Sequence, residues 1–108
     1  MLEKLEKEIQ EQFGAELMIH DESFNPYASL FKIKFPPHFH VLFEVEKVPE
    51  VDCYLLTQSC RFVEAGGVCT VGTVRYTLNT EKELINKLKE VIEDYNKLSD
   101  LLNNLFKE

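Results

Sequence analysis

Apolar residues recur along this chain with two different periods. At the start, Leu2, Leu5, Ile9 and Phe13 are spaced three and four apart with Glu and Lys between them, which predicts a helix over 2–13. Gly14 is its natural stop. Ala15 to His20 reads as a short strand, and Asp21 to Tyr27, which holds Asn25-Pro26, as a loop. The period then falls to two. Phe31, Ile33 and Phe35 alternate with Leu30, Lys32 and Lys34. Beyond Pro36-Pro37, Phe39, Val41, Phe43 and Val45 alternate with His38, His40, Leu42, Glu44 and Glu46. Two such runs around a short turn predict an antiparallel hairpin with one greasy and one wet face. On the wet face, Lys32 and Lys34 are expected across from Glu44 and Glu46.

Val48-Pro49-Glu50 marks a turn before a third strand, Val51 to Gln58. Cys60 to Glu64 and Val68 to Leu78 flank Gly66-Gly67, a hairpin signal, because glycine enters positive φ freely. The alternation in 68–78 is less clean. The last segment returns to the helical period. Thr80 with Glu83 spells a capping box. Leu84, Leu88, Val91, Tyr95, Leu98, Leu102 and Leu105 follow in alternating steps of four and three. The fold predicted is α+β: a two-layer sandwich of a mainly antiparallel sheet of four to six strands, with the N- and C-terminal helices on one face, in the order α-β-β-β-β-β-α. The 108 residues make one domain, 1–108.

The last helix changes the picture most. From Thr80 to Lys107 it is about 40 Å long at 1.5 Å per residue. Five strands of about seven residues make a sheet roughly 24 Å by 23 Å. The final turns, carrying Leu98, Leu101, Leu102, Leu105 and Phe106, are therefore expected to project as a partner-binding surface. A break near Ser99, or cover from Leu2, Leu5 and Ile9, is the competing arrangement.

Charge narrows the classes of partner. The formal net charge is −7, which repels a phosphate backbone at long range and argues against nucleic acid as a target. Lys32, Lys34, Arg61 and Arg75, with Phe31 and Tyr76, imitate only faintly a basic aromatic sheet surface. No stretch approaches a membrane span. Met1 to Glu6 lacks a signal-peptide layout, and a cytoplasmic setting is expected. Cys53, Cys60 and Cys69 form no CxxC pair and are expected as reduced strand residues.

Candidate chemistry is sparse. His38-Phe39-His40 with Glu44 spells HxHxxxE, which resembles part of the first metal motif of the cupins; Lys32 and Val51 stand where that motif carries glycines. His38 and His40 are the candidate metal ligands, with His20 a third source, against the plain reading of two histidines at the mouth of a turn. Glu44 and Glu46 stand on one side about 7 Å apart, as glycosidase carboxylates can, or as a solvated ladder. A Cys–His nucleophile has no local signature, and Gly66-Gly67 lacks the residues of a phosphate loop.

Two functions from different classes remain. One is a small acidic, non-catalytic protein-binding module of the chaperone, inhibitor/immunity or phage/plasmid accessory type, working without a cofactor as a homodimer or on a protein partner. Class I secretion chaperones resemble it in size, acidity and terminal helices. The other is a small metal-dependent enzyme or sensor using His38 and His40 on the polar sheet face.

Overall fold

The computed structural model describes residues 3–18, 27–51, 53–64 and 67–105. Helix α1 (Glu3–Phe13) is followed by strands β1 (Glu16–Leu17), β2 (Ala28–Phe35), β3 (Phe39–Val48), β4 (Cys53–Glu64) and β5 (Gly67–Leu78), then helix α2 (Glu81–Leu105). The sheet is antiparallel throughout, in the order β1-β2-β3-β4-β5. This is the α+β architecture that the two periodicities predict.

Local chemistry sets the ends of both helices. Gly14 adopts φ +64° and its N–H donates to Gln10 O at 3.0 Å, closing α1 in the left-handed conformation that glycine alone takes without a Cβ clash. At the start of α2 the Glu83 N–H donates to Thr80 Oγ1 at 3.1 Å, as a capping box requires. The returning Glu83 carboxylate accepts from the N–H of Asn79 at 2.8 Å, one residue earlier than the simple box.

One face of the sheet carries the core. Phe31 and Phe35 on β2, Phe39, Val41, Phe43 and Val45 on β3, and Tyr54, Leu56 and Cys60 on β4 are all buried there. Leu5 and Ile9 of α1 and Leu84, Ile85, Leu88 and Val91 of α2 close over them in one cluster. Both helices thus lie on the same side. The opposite side of the sheet has no second layer among the described residues.

Three expectations change. The strand expected over 51–58 and the run 60–64 are one twelve-residue strand, β4, paired along its length with β3 and β5. Two steps on β4, from Ser59 to Arg61, match three on β5, from Thr73 back to Thr70. That bulge resets the side-chain parity of β5, which is why its alternation looked unclean. The Lys–Glu ladder does not form. A three-residue turn, 36–38, pairs Phe35 with Phe39, so Leu30 faces Glu44, Ala28 faces Glu46 and Lys34 faces His40. The short first strand holds only Glu16–Leu17; Ile19, His20 and the loop to 26 lie outside the described residues.

Candidate functional site

The last turns of α2 are not the free overhang that a seven-residue strand length implies. Twelve-residue strands run about 40 Å, against about 37 Å for a 25-residue helix. The sheet is as long as the helix it carries. Helix α2 is continuous through Ser99, which is buried at 8% exposure. It crosses the sheet along its length. At its start, the Tyr54 hydroxyl of β4 donates to Glu81 Oε1 at 3.2 Å. Midway, Tyr95 packs against Phe35 and Phe39, with ring centroids 6.0 and 5.9 Å away. Near its end, His38 Nε2 in the β2–β3 turn lies 3.1 Å from Asn103 Oδ1.

This divides the five expected contact residues. Leu98 and Leu102 are half-buried and pack against the core cluster. Leu101 and Leu105 stay open, at 57% and 69% exposure. Phe106 lies outside the described residues. At about 100° per residue, Leu101 and Leu105 fall on the same flank of α2 as Lys87. Lys87 Nζ lies 4.6 Å from the centre of the Tyr76 ring on β5, so this flank faces the β5 side. Val74, next to Tyr76's pleat on the helix side of β5, is 46% exposed. The apolar surface left open at the end of α2 is therefore narrower than five residues.

The two candidate metal ligands part company. His38 reaches the helix layer through Asn103, whereas His40 alternates with the buried Phe39 and Val41 and so faces the opposite side of the sheet. His40 stands in one cross-strand row between Lys34 on β2 and Arg61 on β4. Burial, then the charges of Lys32, Arg61 and Lys34, hold its imidazole below the usual histidine range. That surrounding repels a cation. Among the described residues no three His, Cys, Asp or Glu side chains gather as a metal-binding group. His20 lies outside the described residues.

The remaining candidates sort by face. Phe31 is buried with the core and Tyr76 is on the helix side, so neither joins the basic residues of the outer face. Arg75 Nε donates to Thr57 Oγ1 at 3.2 Å. Cys53 is half-buried and Cys60 buried, both as free thiols, and burial pushes the Cys60 thiol up, away from nucleophilic chemistry. Among the described residues no helix is long and apolar enough to cross a membrane. No family model, curated protein or solved structure matches this chain.

Proposed function

We propose that this protein is a non-catalytic protein-binding module that self-associates through the open flank of the last α2 turns. The observation that carries this reading is the exposure of Leu101 and Leu105 together, on a helix whose other large apolar residues are at least half covered. A helix flank with apolar residues in steps of three and four is complementary to a second copy of itself across a two-fold axis.

Magnitudes set how strong the contact is. Burying the exposed parts of four leucines, two from each copy, gives roughly 4–8 kcal/mol. Association costs about 4–15 kcal/mol. The most favourable balance is about 4 kcal/mol, so the self-contact is weak, with Kd at about a millimolar or above. Such a contact leaves the flank exchangeable, so a heterologous partner helix can replace the second copy. This suits a chaperone, inhibitor or accessory protein, and the net charge of −7 then favours a basic partner. Sedimentation across a wide concentration range, with Leu101 and Leu105 changed to Glu, tests the reading.

A further inference from the structure

The outer face of the sheet carries a second surface, independent of the α2 flank. We infer that Lys34, His40 and Arg61, with Lys32 beside them, form a binding site for a compact oxyanion, a single phosphate group.

Register assembles the site. Lys34 pairs with His40 and His40 with Arg61, so three neighbouring strands present one basic side chain each in a single row. Strands stand about 4.8 Å apart, which puts the Lys34 and Arg61 backbones about 10 Å from each other, with His40 between. Both have stems long enough to converge above the imidazole. Lys32 is two residues from Lys34 on the same face. Beside the row lies a shallow cavity of about 250 Å³ lined by Lys32, Lys34, Pro36, Pro37, Phe39 and His40.

Among the described residues no ion pair involves Lys32, Lys34 or Arg61; the salt bridge formed there is Lys87 with Glu90, on α2. Arg61 Nε is shielded from solvent and has no hydrogen-bond partner among the described residues. A buried donor in that state is costly unless something accepts from it, and a charge-assisted bond to an oxyanion is the strongest available acceptor. Burial first, and then the charges of Lys32, Arg61 and Lys34, lower the proton affinity of His40.

The charge pattern also limits the ligand's size. Glu16 pairs with Lys32 at one side. Along β3, Glu44 stands about 13 Å from His40 on the same face, with Glu46 beyond it. An extended polyanion running along β3 meets those carboxylates, whereas a single phosphate group does not. The groups facing His40 are Lys32 and Lys34 from β2 and Arg61 from β4, with Glu16 of β1 behind Lys32.

The test is NMR of the histidine rings in the full chain, titrated with sodium phosphate against sodium chloride at matched ionic strength. The His40 ring is expected to shift saturably with phosphate only, and its protonation midpoint to rise. Arg61→Gln with Lys34→Gln is expected to weaken the effect about tenfold or more. A matched Lys89→Gln control on α2 leaves it unchanged. Amide spectra confirm that the sheet persists in each variant. A phosphoserine peptide bound more tightly than phosphate assigns the group to a modified partner; equal affinity assigns it to a free phosphate. Equal shifts in chloride and phosphate, or a response that survives the double substitution in a folded sheet, overturn the assignment.

Discussion

His38 Nε2 and Asn103 Oδ1, 65 positions apart in sequence, lie 3.1 Å from each other and tie the β2–β3 turn to the end of α2. The contact sits over an aromatic group in which Phe35 stacks on Phe39 at 4.9 Å and Phe62 tilts against Phe39 at 5.4 Å. Together they dock the final turns of a helix that would otherwise fray. Because the bond is exposed, Asn103→Ala is expected to cost only about 0.5–1 kcal/mol in urea unfolding. Its sharper effect is local. Amide exchange of 100–105 should accelerate while that of 84–91 does not. Uniform acceleration along α2 contradicts this docking role.

Gln58 occupies a core position on β4, and its Nε2 donates to the Tyr76 hydroxyl at 3.3 Å. Its Oε1 is buried without a partner among the described residues. Gln58→Met keeps the volume, removes the unsatisfied acceptor and leaves a half-exposed hydroxyl to water. It is expected to stabilise the protein by about 0.5–1.5 kcal/mol, read as a higher urea midpoint at unchanged slope. A lower midpoint shows that the Gln58–Tyr76 bond outweighs the orphaned oxygen.

Tyr95 ties stability to alkaline pH. Burial first, then the neighbouring Cys60 and Tyr76, push its phenol up to about 12. The folded chain holds this proton more tightly than the unfolded chain, whose tyrosine ionises near 10. The contribution is complete below about pH 10 and is lost as pH rises toward 12. Thermal unfolding at neutral pH and at about pH 11 should therefore show a smaller alkaline loss in Tyr95→Phe than in the wild type. An identical loss in both proteins locates the alkaline sensitivity elsewhere.

Much of the fold is legible in the residues. The 3.6-residue stripe from Leu84 to Leu105 specifies one helix, and the two-residue alternation of 31–45 specifies two strands with one buried face. What periodicity does not supply is register. The displacement of Lys34 from Glu44 to His40 is decided by how many residues form the turn after Phe35. The bulge between Ser59 and Arg61 is a second register feature that alternation alone does not reveal. The site inherits those gaps. Leu98 and Leu105 stand in one 4-3 series, but Leu98 packs against the core while Leu105 stands in water. The Lys34–His40–Arg61 row exists only once two hairpin registers are known.

Self-association through the α2 flank is read by sedimentation velocity from about 10 μM to about 1 mM. The wild type should move from monomer toward dimer within that range. Leu101→Glu with Leu105→Glu should remain monomeric throughout with its unfolding midpoint nearly unchanged, since both positions are already exposed. A wild type that stays monomeric at the highest concentration, or a double variant that associates equally well, rules out this flank as the self-contact.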